Sequence, residues 1–229
     1  ELIPFAESIH SDRLLRENNE KMRQEFTANV SHELKTPLTS ISGYAELIET
    51  GIAKPEDVPE FGRKIHGEAT RMIQLVNDIL QLSHLDSASE TNTLPAMETV
   101  DLLDVAKECV ERQKLNAQRS FISLTYLGES ARVLGNRGQL DELCQNLCDN
   151  AIRYNRPGGK VQLITACTRD GHCTLTVKDD GIGIPREAQS SVFERFYRVD
   201  KSRSKATGGT GLGLAIVKHI ARIHNARIK

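Results

Sequence analysis

Phe26-Thr27-Ala28-Asn29-Val30-Ser31-His32-Glu33-Leu34-Lys35-Thr36-Pro37-Leu38 is the stretch on which the architecture turns. Its apolar members Phe26, Val30 and Leu34 fall at helical spacing. With Leu15, Met22, Ile41, Ala45 and Ile48 they mark one face of a long helix over about residues 10–49. Gly51 and Pro55 punctuate the pattern. It resumes at Val58, Phe61, Ile65, Met72, Val76 and Ile79 on a second helix running to about Leu85. A hairpin of two amphipathic helices cannot enclose its own apolar stripe, so the spacing predicts two hairpins paired as a dimeric four-helix bundle. The alternative is a hairpin packed on the C-terminal part of its own chain.

His32 stands mid-helix, with Glu33 beside it and Thr36 one turn on. A neutral imidazole has one nitrogen lone pair free to attack phosphorus, and a neighbouring carboxylate can take or orient the ring proton. The Thr36 hydroxyl, on the same face, is placed to position a water against a phosphorylated ring. Pro37 removes the amide that would bond the Glu33 carbonyl, which predicts a local kink. A zinc-protease helix is excluded, because position 36 holds Thr where a second His ligand is needed. Taken alone, His32 is adequately explained as a solvent-facing helix residue. The rest of the chain changes that reading.

The bulk composition excludes several classes. With 30 Lys+Arg against 31 Asp+Glu the net charge is −1, so no global basic field draws the protein to nucleic acid or anionic lipid. No apolar run approaches the roughly 20 residues of a membrane helix. The chain begins at Glu1 without Met and reads as part of a longer protein. Five cysteines, an odd number with no Cys-x-x-Cys pair, predict reduced and mostly buried thiols. Aromatics are 4% and Trp is absent, which speaks against base-stacking platforms.

Residues 89–96 lose periodicity and read as a linker between residues 1–88 and 97–229. Beyond it the pattern predicts a helix near 101–117, strands near 120–127 and 131–134, and a helix near 136–153. Strands near 160–168 and 172–179 and a last helix near 211–224 follow, with the start of a further strand at 226–229. That is an α+β layer sandwich. Four segments in it form a candidate nucleotide pocket. Asn146 and Asn150 offer amide oxygens suited to Mg²⁺, with Arg153 and Tyr154 close by to meet phosphate. Asp179 ends a strand beside Gly181 and Gly183, placed to accept from an exocyclic amine such as that of adenine. The segment Val192 to Arg198, with Phe193 and Phe196, and the polar residues 200–207 resemble a lid. They lead to Gly208, Gly209, Thr210, Gly211, Leu212 and Gly213 at a helix start, where backbone N–H groups favour phosphate.

In this order the segments resemble the sensor histidine kinases of bacterial two-component systems, most like the phosphate-responsive and cell-wall-responsive branch. The resemblance runs from about Met22 to His224. It implies a helical hairpin forming a dimeric four-helix bundle, followed by an α/β sandwich of the gyrase, chaperone and histidine kinase type. His32 would be the phosphorylated residue, Glu33 its acid–base neighbour and Thr36 the phosphatase position. Asn146 and Asn150 would hold Mg²⁺ and ATP, Asp179 adenine, Gly181 and Gly183 the first glycine box, and Phe193 and Phe196 the lid. Gly209, Gly211 and Gly213 would be the second glycine box, and Arg153, Tyr154, Arg198, Thr210 and Leu212 complete the ATP site.

Hydrolysing members of that superfamily resemble one another in a glutamate four residues before the magnesium asparagine. Here that place holds Asn146, which cannot act as a base, so ATP would be held for transfer to His32. The implied partners are a second copy of the chain and a response-regulator receiver domain docking near Ser40 to Glu46. The implied setting is the cytoplasmic side of a membrane-anchored sensor. A catalytically silent ATP-binding scaffold and a chaperone-type ATPase are the rival readings. His224-Asn225-Ala226 departs from the family's glycine pair after the last helix, and Asn tolerates the left-handed cap needed there.

Overall fold

The computed structural model describes residues 3–90, 96–199 and 209–229. The chain divides into two compact units, Glu1–Val76 and Asn77–Lys229, and the division falls within the second helix.

In the first unit α1 (Ile3–Glu49) runs on through Pro37, so the expected kink does not interrupt the helix. It ends in a left-handed Gly51 with φ 71°, whose N–H bonds the Ile48 carbonyl at 3.2 Å. A residue with a Cβ resists that conformation, and glycine does not. The turn leads to α2 (Val58–Glu90), whose first half lies in this unit. Tyr44 and Phe61 meet across the hairpin with ring centroids 5.2 Å apart, and Pro37 is fully buried. Other apolar side chains stay in water: Leu38 is 56% and Ile73 63% exposed.

The second half of α2 continues five residues past Leu85, through Asp86 and four small or polar residues that a helix tolerates. Helix therefore occupies the start of the expected linker, and residues 91–95 of it lie outside the described residues. The strand β1 (Glu98–Asp101) was not legible in the periodicity. It pairs antiparallel with β3 (Arg132–Gly135). Between them come α3 (Leu102–Arg119) and β2 (Ser123–Gly128). Asp101 starts α3 as its N-cap, accepting from Leu103 N at 2.9 Å and from Ala131 N at 3.0 Å, so one carboxylate ties the helix start to the β3 side. A hydrogen bond from Ser130 then holds Asp101 below the ordinary carboxylate range.

Asn136 caps α4 (Arg137–Arg153) by accepting from Gln139 N at 3.0 Å. A second sheet is formed by β2 with β4 (Lys160–Cys167) and β5 (Cys173–Asp179). Its order is β2-β4-β5, parallel in the first pair and antiparallel in the second. Helices α3 and α4 pack on this sheet, and α5 (Gly213–Ile223) packs on α4. The core joins Val105, Cys109 and Val110 of α3 to Cys144, Cys148 and Ile152 of α4 and to Val161 and Leu163 of β4. Each large apolar side chain so buried contributes about 1.5–3 kcal/mol.

Helix α5 closes as the sequence predicts. Asn225 adopts φ 50°, with Asn225 N bonding Arg222 O at 3.1 Å and Ala226 N bonding Ala221 O at 2.8 Å. That pair of bonds is the Schellman arrangement. His224 accepts from Asn136 N through Nε2 at 3.0 Å and donates through Nδ1 to Ile220 O at 2.8 Å, so it joins the end of α5 to the start of α4. Residues 226–229 form no strand, contrary to expectation.

The cysteines divide against expectation too. Cys167 and Cys173 are disulfide-bonded, because the β4–β5 register sets them directly opposite, with Cα atoms 4.2 Å apart. A pairing across a hairpin leaves no Cys-x-x-Cys signature. Cys109, Cys144 and Cys148 are free and buried, as expected. Hydrogen bonding to Cys109, and then burial, push the thiols of Cys144 and Cys148 upward, so both stay protonated. Thiol titration of the denatured, unreduced chain will therefore count three groups, rising to five after reduction. Five before reduction would refute the cross-strand bond.

Candidate functional site

The C-terminal unit gathers the predicted nucleotide residues around the outer face of α4 and the loops that follow β5. On α4 the helical repeat turns Cys144, Cys148, Ala151 and Ile152 into the core and leaves Asn146, Asn150 and Arg153 half-buried. Asn146 Nδ2 donates to the Glu142 carbonyl at 3.1 Å, which fixes the amide and leaves its Oδ1 as an acceptor. That oxygen lies 2.7 Å from where a Cβ on Gly213 would stand, so a larger residue there would have to displace the Asn146 amide. At Gly209 a Cβ would meet Arg153 Nη1 at 3.0 Å and the Tyr154 hydroxyl at 3.2 Å. The second glycine box is thus drawn against Asn146, Arg153 and Tyr154.

Two further loops join it. Gly181 N donates to Asp179 Oδ1 at 2.9 Å, using one oxygen of that exposed carboxylate. Ile182 N donates to Tyr154 O at 3.1 Å, which holds the first glycine box against the end of α4. A Cβ at Gly181 would come within 2.5 Å of the same Tyr154 oxygen. Asp180 instead ties the loop to β4, its Oδ1 accepting from Lys160 N at 2.7 Å. Phe196 N donates to Gly211 O at 2.9 Å, and Arg198 Nη2 donates to the Gly209 carbonyl. Gly211 has φ 75°, and a Cβ there would press on the Phe196 backbone at 3.0 Å. Phe193 is half-buried in the same segment, while residues 200–208, which include Gly208, lie outside the described residues. The amide oxygens of Asn146 and Asn150 and the glycine cradle fit Mg²⁺ and a polyphosphate.

The first unit holds the other candidates. His32 and Thr36 are exposed on α1, with Thr36 Oγ1 donating to the His32 carbonyl at 3.2 Å. Glu33 Oε2 faces Arg71 Nη2 of α2 at 3.5 Å, which keeps the carboxylate beside the imidazole oriented.

Sequence reasoning missed Asp78 and Glu142. Asp78 Oδ2 accepts from Thr210 Oγ1 at 2.6 Å, and both residues are buried. A signal existed: Leu75, Asp78, Leu82 and Leu85 are all buried at helical spacing on α2, with one acid among three leucines. Burial, followed by the charge of Asp78, raises Glu142 to about 7, opposed by a hydrogen bond from Gln81. Glu142 Oε1 is buried without a hydrogen-bond partner. Burial likewise raises Asp149, although Arg153 counters it.

Comparisons with known proteins place this geometry. Residues 22–88 match the His Kinase A (phospho-acceptor) domain, and residues 135–229 match the histidine kinase-, DNA gyrase B- and HSP90-like ATPase family. The chain thus joins a phospho-acceptor hairpin to an ATPase-type domain. It is 42% identical over 226 residues to the sensor-like histidine kinase SenX3 of Mycolicibacterium smegmatis, covering 98% of this chain and 58% of that protein. The fold is similar to that of the Acinetobacter baumannii histidine kinase AdeS, with a TM-score of 0.65 at 26% identity over 84% of this chain and 86% of that one. It is also similar to full-length ShkA in complex with AMPPNP, with a TM-score of 0.57 at 26% identity over 87% of this chain and 41% of that one. The chain belongs to the sensor histidine kinases. Among the described residues no helix is long and apolar enough to cross a membrane.

The Glu142 shift has a definite sign. A carboxyl whose folded value lies above 4.5 binds more protons in the folded state, so stability falls as pH rises from about 4.5 towards about 7. Glu142→Gln will flatten that decline in the unfolding midpoint. An unchanged pH profile would show that Glu142 titrates normally.

Proposed function

We propose that this chain is the catalytic portion of an ATP-dependent protein histidine autokinase that phosphorylates His32 and passes the phosphoryl group to an aspartate of a response regulator. One observation carries the reading. An exposed imidazole flanked by Glu33 and Thr36 occurs in the same chain as a glycine cradle closed on Asn146, Arg153 and Tyr154. That ShkA was solved with AMPPNP supports ATP as the nucleotide.

Asp179 would accept from the adenine amine, with Gly181 and Gly183 allowing the base to approach. Arg153, Tyr154 and Arg198 would meet the phosphates beside the N–H groups of Gly209, Thr210, Gly211, Leu212 and Gly213, under Phe193 and Phe196. Mg²⁺, held by Asn146 and Asn150, would neutralise phosphate charge. A His32 ring nitrogen forms the bond to the γ-phosphorus as the bond to the β–γ bridging oxygen breaks and ADP leaves. The proton on the other ring nitrogen passes to Glu33, which Arg71 orients. Because Asn146 stands where hydrolysing relatives have a base, water is not activated, and catalysis is positioning with charge neutralisation. Thr36 would serve the reverse chemistry by orienting water for dephosphorylation.

The partners follow from the hairpin. Exposed Leu38, Ile73 and Val76 suit burial against a second copy, in keeping with the phospho-acceptor match over residues 22–88. The receiver domain would dock near Ser40 to Glu46. Membrane attachment, if present, would come from segments other than the helices described above.

Incubation with γ-labelled ATP and Mg²⁺ tests the reading. We expect alkali-stable, acid-labile label on His32, none in His32→Gln, and at least a hundredfold less label in Asp179→Asn through lost adenine recognition. Tight nucleotide binding without label would favour the silent scaffold. Steady ATP turnover in His32→Gln would favour the chaperone-type ATPase.

A further inference from the structure

We infer that Asp78 is a positioning residue for the phosphate-binding loop: its carboxylate, carried on α2, fixes the Thr210 hydroxyl and through it the turn that receives the nucleotide. The inference rests on the reading of that loop as an ATP site. Thr210 Oγ1 donates to Asp78 Oδ2 at 2.6 Å and accepts Leu212 N–H at 3.3 Å. The bond to Leu212 therefore spans Gly211, which has φ 75°, while the bond to Asp78 ties the same hydroxyl to α2. A turn left loose must be ordered when the ligand binds, at about 1–2 kcal/mol per residue. A turn fixed in advance avoids that cost, and affinity rises accordingly.

The surroundings of Asp78 suit this role. Asp78 is 7% and Thr210 8% exposed, so the 2.6 Å bond between them is shielded from water. An apolar residue at 78 would continue the leucine stripe without the desolvation cost of a carboxylate. The carboxylate also opposes ionisation of Glu142, a further cost that packing alone does not explain. Neighbouring bonds set the height of Asp78 against the loop. His219 Nε2 meets Leu85 O at 3.0 Å, and Arg195 Nη2 reaches both Asp86 oxygens at 2.9 Å. Burial, followed by the charge of Arg222, holds His219 below its ordinary range against the pull of the Asp86 carboxylate, and Nε2–H donates to the Leu85 carbonyl.

The test measures binding of a fluorescent trinitrophenyl ATP analogue to the full chain in Mg²⁺ buffer. Asp78→Ala and Thr210→Val are each expected to weaken binding about tenfold, the equivalent of about 1.4 kcal/mol. The double variant should lose little more than Thr210→Val alone, because that variant already removes the Asp78 bond. Thr210→Ser, which restores the hydroxyl, should recover most of the affinity. In autophosphorylation the loss should fall on the KM for ATP and not on kcat. Parent-like binding by Thr210→Val, whatever Asp78→Ala does to the fold, overturns the inference, and so does a double variant whose loss is the product of the two. A parent chain that fails to bind the analogue overturns the nucleotide reading itself.

Discussion

The two-faced packing of α4 is the constraint from which the C-terminal unit follows. Its inward residues Cys144, Cys148 and Ile152 must fill the space over β4 and beneath α3, and that requirement fixes the rotation of the helix. Once the rotation is fixed, Asn146 and Arg153 come to face the glycine loops. The loops then reach α4 by main chain: Gly213 against Asn146, Gly209 against Arg153, and Ile182 N on the Tyr154 carbonyl. Small residues recur here because the cradle is made of backbone, and a single Cβ would occupy the space needed for approach. Precision at the site is inherited from dense packing at the core, which does not deform gradually.

Much of this was legible in the sequence. The two helix faces of the hairpin, the α/β order of the second half and the glycine loops appear as periodicity and punctuation, which are local properties. Asn225 was legible for a similar reason, since its left-handed conformation depends on one residue and its two neighbours. The candidate nucleotide residues stood out because each loop has a chemical signature of its own, and the structure brings Asn146, Arg153, Tyr154 and the glycine loops together at α4.

What escaped depended on pairing across distance. β1 is a four-residue strand whose only warrant is its partner β3, and four residues hold too little alternation to detect. Cys167 and Cys173 were judged by spacing, whereas hairpin register decides that they meet. Asp78 was hidden because a polar residue within an apolar stripe ordinarily marks the edge of a helix face. Its burial makes sense only beside Thr210, which lies far along the chain. The continuation of α2 to Glu90 escaped because small polar residues permit helix without advertising it.

The continuity of α2 has a mechanical consequence. One unbroken helix belongs to both compact units, and Asp78 lies just past the division. An α-helix advances 1.5 Å and turns about 100° with each residue. A slip or twist of even one residue would swing the Asp78 carboxylate away from the Thr210 hydroxyl. The glycine turn is in this sense a vernier that reads the phase of the second half of α2, where the making or breaking of a single bond marks the position of the carboxylate.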